Sequence, residues 1–315
     1  MDFGKPDDPA AVDWALPDDG ATTALALDGT PVAAPRAWIG STAWGDRGFL
    51  GPVYPRDTRA ADFLAAYGRQ FNAVELNATF YRSPDVRQVR KWAHTVPADF
   101  RFCPKVPKSV SQRGDLGAGQ FSLLDFAKAV QHFEHKLGPC FLQLPQGFGS
   151  DRSAVLEEFL ERWPPTLPLA VEFRHPIWFS PEGRGLDGFA ALHARGYGAV
   201  ITDVGARRDA AHMHLTAPWA FVRFVGNDHP SDRARLASWV ERAAGWFAAG
   251  LEDLYFMVHQ PEPVASARDA GRFAEALNAR GIPGLTARGP RLLTGGGGAS
   301  AGASSDYATL FSPLG

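Results

Sequence analysis

The sequence predicts an α/β fold, a single-domain (β/α)8 TIM-type barrel. Three observations carry this prediction. Eight short apolar runs have the length and the β-branched or aromatic content of strands. Helix-like segments separate most of them, at strand-to-strand intervals of about 20 to 40 residues, as repeated βα units require. The glycine signatures of a doubly wound nucleotide-binding sheet are missing, because the first strand runs into WIGSTAWGDRG, which is neither G-x-G-x-x-G nor a P-loop. Eight such units in about 250 residues match one closed barrel.

Residues 1–35 are read as an acidic N-terminal arm, with seven Asp and one Lys and no sustained apolar period. Such a segment is expected to be mobile or loosely docked. The barrel is expected over residues 36–283. Its strand-like runs are Ala37–Ile39, Ala73–Leu76, Arg101–Val106, Cys140–Leu144, Leu169–Phe173, Ala199–Thr202, Ala220–Val225 and Leu254–Val258. Between them lie stretches such as TRAADFLAAYGRQF, in which Ala60, Phe63, Leu64 and Tyr67 recur at helical spacing. Trp92, Trp163, Trp239 and Trp246 sit in similar stretches and read as core. The sixth crossover, GARRDAAHMHLTAP, is too short for a full helix and is expected to be a loop or a single turn. Residues 284–315 include GPRLLTGGGGASAGASS, a bias that marks a flexible C-terminal tail in which Tyr307, Leu310 and Phe311 are able to dock.

Composition narrows the function class. The net charge of −2 gives no global reason to expect a nucleic-acid or membrane partner. The distribution is uneven, since residues 56–113 hold eleven Lys/Arg against five Asp/Glu. Attraction between this stretch and the acidic arm and a basic face for an anionic substrate are both open readings. Two cysteines, Cys103 and Cys140, are too few for a secreted disulfide scaffold and point to a reducing, cytoplasmic setting. They read as inert buried thiols on neighbouring strands. The start MDFGKPDDPA lacks the basic and apolar regions of a signal peptide, and no run of 18 apolar residues spans a membrane. Nothing in the pattern signals an oligomeric state.

The chemistry is expected at the C-terminal ends of the strands. Barrel strands are covered outside by helices and packed inside, so a charge in one must face the mouth or be paired at high cost. Seven of the eight runs carry a polar group near that end: Glu75 and Asn77, Lys105, Gln143, Glu172 and Arg174, Asp203, Arg223, and His259 with Gln260. Glu75 and Glu172 are able to flank a substrate as acid and base if their environments differ. Lys105, Arg174 and Arg223 suit a carboxylate, a phosphate or a developing oxyanion, and His259 suits proton transfer near neutral pH. A lysine among acids is expected to stay protonated, which disfavours Schiff-base chemistry at Lys105. The bland alternative is mutual neutralisation, with Glu75–Lys105 and Glu172–Arg223 pairs plugging the barrel. Tyr81, Trp178 and Phe179 follow strand ends and read as pocket wall or as packing. Glu75, Glu172, Asp203 and His259 are permissible ligands for a divalent ion, yet no sequence-local ligand signature accompanies them, so no metal or other cofactor is assigned. The H-x-H pair His212 and His214 reads more simply as a surface turn or a short extended stretch.

At this point the chain resembles a known family, domain of unknown function 72, the YecE-like proteins. The carrying segments are WIGSTAW, VELNATFYRSP, FRFCPKVPKSV, LGPCFLQLPQGF, VEFRHPIWF, TAPWAFVRFVG and YFMVHQ, spread over roughly Trp38 to Leu277. The resemblance implies a TIM-type barrel and places Glu75, Asn77, Tyr81, Lys105, Gln143, Glu172, Arg174, His175 and Arg223 in the family's motifs. It implies no activity. Two departures fall at the mouth. Val225 stands where the family commonly has a histidine, and His259–Gln260 stands where an Asn pair is usual.

Three readings follow. The leading one is an enzyme doing acid–base or hydrolytic chemistry, of hydrolase or lyase/isomerase type, on a small polar anionic substrate. Its catalytic set is Glu75, Lys105, Glu172, Asp203, Arg223 and His259, with Asn77, Tyr81, Gln143, Arg174, His175 and Trp178 binding substrate. The others are a metal-dependent phosphodiesterase or nuclease, by fold analogy alone, and a non-catalytic ligand-binding protein.

Overall fold

The computed structural model describes residues 4, 6–119, 121–180 and 185–293. Eight strands form one parallel sheet: β1 Arg36–Ser41, β2 Ala73–Leu76, β3 Arg101–Pro104, β4 Cys140–Gln143, β5 Leu169–Glu172, β6 Gly198–Asp203, β7 Trp219–Val225 and β8 Asp253–His259. Their order is β3-β2-β1-β8-β7-β6-β5-β4. The two ends of that order meet through parallel bridges at Phe102–Leu137 and Lys105–Phe141, which close the barrel. The TIM-type barrel expected from the sequence is therefore observed.

Helices α1 Phe63–Gln70, α2 Val86–Thr95, α3 Ser122–Val130, α4 Ser153–Arg162, α5 Gly185–His193, α6 Ser231–Ala248 and α7 Pro263–Ala279 follow β1 to β5, β7 and β8. Between β6 and β7 lies only the single turn Arg208–Ala210, as the short sixth crossover predicted. Among the described residues no helix is long and apolar enough to cross a membrane.

Two apolar layers explain why these runs become strands. Alternate residues point to opposite faces of a strand. One set (Trp38, Ala73, Cys103, Phe141, Ala170, Val200, Phe221, Tyr255 and Met257) fills the barrel interior. The other set, including Ile39, Val74, Leu142, Val171, Ile201 and Val222, packs against the helices. Trp163, Trp239 and Trp246 are buried, and Trp92 packs at the edge of this outer layer. Both cysteines are buried and free. Gly198 shows how tight the interior is, since a Cβ there would meet the Trp219 ring at 2.3 Å.

The N-terminal segment docks. Thr23 Oγ1 donates to Met213 O at 2.7 Å, and the Gly20 amide donates to the same carbonyl at 2.9 Å. Asp19 accepts from Arg242 Nη1 at 2.6 Å and Trp246 Nε1 at 3.0 Å. The segment thus packs between the helix-free crossover and α6, and Asp19 pairs with α6 rather than with the basic stretch 56–113. The first ten residues of the expected tail are also held: Asn278 bonds both backbone groups of Ala287 at 2.8 Å, and the Leu293 amide donates to Pro52 O at 2.8 Å. The Gly/Ser/Ala bias that marked the tail begins only after these residues. That part, with Tyr307, Leu310 and Phe311, lies outside the described residues.

Candidate active site at the barrel mouth

The ends of β2, β3, β4, β5, β7 and β8 bring their polar residues into one continuous network. Its centre is Arg223. Parity sends this side chain inward from β7, two residues beyond the interior Phe221. Its Nε and Nη2 donate to Glu75 Oε2 and Oε1 at 2.9 and 3.0 Å, a bidentate pair. Its Nη1 donates to Glu172 Oε2 at 2.9 Å. All three side chains are buried.

From Glu172 the network runs to the rim. Gln143 Nε2 donates to Glu172 Oε2 at 2.8 Å, and Lys105 Nζ donates to Gln143 Oε1 at 2.8 Å. Arg174 Nε donates to Glu172 Oε1 at 3.1 Å. From Glu75 it runs to Asn77, whose Nδ2 donates to Oε1 at 3.1 Å, and to His259, whose Nε2 lies 2.9 Å from Oε2.

These contacts set the protonation states. Burial alone would raise the Glu75 carboxyl. The Arg223 charge and then His259 outweigh burial and hold it well below the usual carboxylate range. Burial opposes Glu172 in the same way, but Arg223 and Arg174 bring it to about 2. The two glutamates therefore share one guanidinium and one state, both ionised, so the split acid and base environments do not arise here. Burial, then the Arg223 charge, lowers the Lys105 ammonium to about 8 against the pull of both glutamates. Burial likewise lowers His259, more than Glu75 raises it. An ionised Glu75 can only accept, so neutral His259 carries its proton on Nε2 and presents a basic Nδ1.

The expected pairing differs in detail. Glu172 does pair with Arg223, but Glu75 pairs with Arg223 and His259 instead of Lys105. The Lys105 amine sits on an amide oxygen and 4.3 Å from the centre of the Phe80 ring. The sequence pointed to Tyr81 in this segment. The short helix Ala78–Tyr81 turns Phe80 toward the site and leaves Tyr81 exposed, its ring edge against Phe80. Two adjacent aromatics in NATFY were the available signal, and only the helical turn chooses between them.

Asp203 does not join the mouth. Val200 faces the interior and Ile201 faces the helices, so parity sends Thr202 in and Asp203 out. Asp203 Oδ2 accepts from Arg235 Nε at 3.2 Å and Trp239 Nε1 at 2.9 Å, both on α6, and its Oδ1 accepts from Arg208. The inward residue is Thr202, which period-two counting from Val200 would have selected.

His175 accepts the Ile177 amide on Nδ1 at 3.2 Å and caps a turn. Trp178 is buried, its indole donating to Phe148 O at 2.7 Å. Trp178, Phe179, Phe189, His212 and His214 line an open, mainly apolar cavity of about 450 Å³ beside the N-terminal segment. The H-x-H pair lies on a short stretch without a turn, the second of its two expected forms, and lines this cavity. His212 donates from Nε2 to Val200 O at 3.1 Å and accepts the His214 amide on Nδ1 at 3.0 Å, so both ring nitrogens are engaged. Among the described residues no three of His, Cys, Asp and Glu converge as a metal-ligand group.

Comparison with known proteins gives a consistent kinship. The family model "Protein of unknown function DUF72" matches residues 38–291. UPF0759 protein YecE of Escherichia coli K12 is 30% identical over 218 residues, covering 63% of this chain and 79% of that protein. UPF0759 protein YunF of Bacillus subtilis 168 is 30% identical over 151 residues, 46% of this chain and 52% of that one. Crystal structures of DUF72 proteins from Enterococcus faecalis V583 and Thermotoga maritima MSB8 superpose with TM-scores of 0.63 and 0.60, at 20% and 22% identity. They cover 77% of this chain and 95% and 99% of theirs. At that identity they speak to the fold.

Proposed function

The chain belongs to the DUF72 family, and from that premise we propose that it is an enzyme performing acid–base or hydrolytic chemistry on a small polar anion at its barrel mouth. One observation carries this reading. A single network joins Lys105, Gln143, Glu172, Arg223, Glu75 and His259 and ends in Lys105, whose ammonium is brought down to about 8, and in His259, whose imidazole is lowered by burial from its ordinary value.

Roles follow from the geometry. His259, held by Glu75 through Nε2, is the general base acting through Nδ1. Lys105 is the general acid. Glu75 and Glu172, locked on Arg223, position both and supply fixed charge. Arg174 and Asn77 at the rim meet the substrate.

Such an enzyme has a bell-shaped pH profile. Its acid limb follows His259 and falls below pH ~6.5. Its alkaline limb follows Lys105 and falls as pH rises through about 8. The test assays small carboxylate and phosphate esters with the wild type and His259→Asn. Loss of a general base is expected to reduce turnover by about 100-fold or more. Turnover unchanged in His259→Asn, or flat across this pH range, would sink the assignment.

The metal-dependent reading gains nothing from the geometry, since Asp203 faces away from Glu75 and Glu172, which both bind Arg223.

A further inference from the structure

We propose that Thr202 anchors a subsite for the carboxylate of a monoanionic substrate inside the mouth; this rests on reading the mouth as a substrate site. Thr202 lies on β6 opposite Arg223 of β7, and β6 is flanked on its other side by β5, which leads into Glu172 and Arg174. It is 2% exposed and shares the inward parity of Val200. Its Oγ1 is buried and makes no hydrogen bond. A buried hydroxyl without a partner is costly, and one on the inward face of β6 beside Arg223 marks a place where a ligand atom completes it.

The charge around it selects the ligand. Two carboxylates, Glu75 and Glu172, are both taken up by Arg223. Lys105 adds a cation whose described partners are the Gln143 amide and the Phe80 ring, not a carboxylate. With His259 neutral, Arg223, Lys105 and Arg174 set three positive charges against these two carboxylates, a surplus of one among the described groups that suits an added anion. A monoanion answers that surplus of one without overloading a site already holding two glutamates. A carboxylate accepts the hydroxyl proton of Thr202 on one oxygen and leaves the other for the surrounding cations.

Thr202→Val removes the hydroxyl while keeping the shape, and Thr202→Ser keeps the hydroxyl. Acetate is titrated into the full chain near pH ~7 and followed by saturation-transfer NMR. Inorganic phosphate is followed in parallel by phosphorus line broadening. The expected result is saturable acetate binding by the wild type, preferred over phosphate. The valine variant then binds acetate about tenfold or more weakly, and the serine variant stays near the wild type. Thr202→Ala gives the same readout should the valine variant not fold. Equal acetate binding by wild type and Thr202→Val overturns the Thr202 assignment while leaving the mouth as an anion site. Preference for phosphate overturns the carboxylate. If neither anion binds, the reading of the mouth falls with the subsite.

Discussion

Two buried ionic clusters lie on opposite faces of the same strand ends, and they are built to different rules. Outside the barrel, Arg235 bonds Asp203 at 2.9 Å and Asp232 at 2.8 Å, and its guanidinium lies 3.9 Å from the Trp14 ring centre and 4.3 Å from that of Phe224. Arg208 also pairs with Asp203. Two arginines meet two aspartates, and tryptophan rings from both the N-terminal segment and α6 close the cluster. Inside the barrel, a lysine faces an amide and a ring, a hydroxyl has no partner, and an imidazole presents a basic nitrogen. The outer cluster is balanced and sealed. The inner one is pre-organised and incomplete. Both hold buried arginine–carboxylate pairs; what separates structural from functional charge is whether the groups satisfy one another.

The largest predicted effect breaks the outer cluster. Asp203→Ala leaves Arg235 buried without its main acceptor, and stability measured by urea unfolding should fall by about 3–5 kcal/mol. Acetate binding should survive at temperatures where the variant is folded. A stable Asp203→Ala protein that has lost anion binding would reverse the roles assigned to the two clusters.

Glu172→Gln tests the inner cluster by pH. The folded carboxyl sits near 2, below its unfolded value, so its contribution is present above pH ~4.3 and is lost as pH falls toward 2. Wild type should exceed the variant by about 2–3 kcal/mol at neutral pH, and the gap should close between pH ~5 and ~2. A gap that persists unchanged at low pH would mean that packing, not charge, holds this residue.

Lys105→Met should act with the opposite sign and the smallest size. The folded amine titrates near 8 and the unfolded one near 10.5, so the folded state disfavours the proton and stability rises with pH between those values. The variant should be more stable than wild type by about 1–2 kcal/mol at pH ~7, an advantage that shrinks above pH ~8. A destabilised variant at neutral pH would show that the Lys105–Gln143 bond outweighs the surplus charge.

Much of this was legible in the chain. Local composition marks strands and helices, because a β-branched apolar run or a 3.6-residue period acts on neighbours in sequence. The eight runs therefore fell within a residue or two of β1 to β8, and a short sixth crossover meant a missing helix. The convergence of Glu75, Lys105, Gln143, Glu172, Arg223 and His259 followed from one rule, that charges in barrel strands face the mouth. What the sequence could not decide was which neighbour each group meets across the barrel. That choice put Glu75 on Arg223 rather than Lys105, turned Phe80 inward in place of Tyr81, and seated the N-terminal segment where a helix was absent. Asp203 and Thr202 show the limit most plainly. Alternation along β6 was readable, but only the packing of α6 against the barrel gave the outward carboxylate a partner and left the inward hydroxyl without one. Pairing depends on distances between residues far apart in the chain, and those exist only once the barrel has closed.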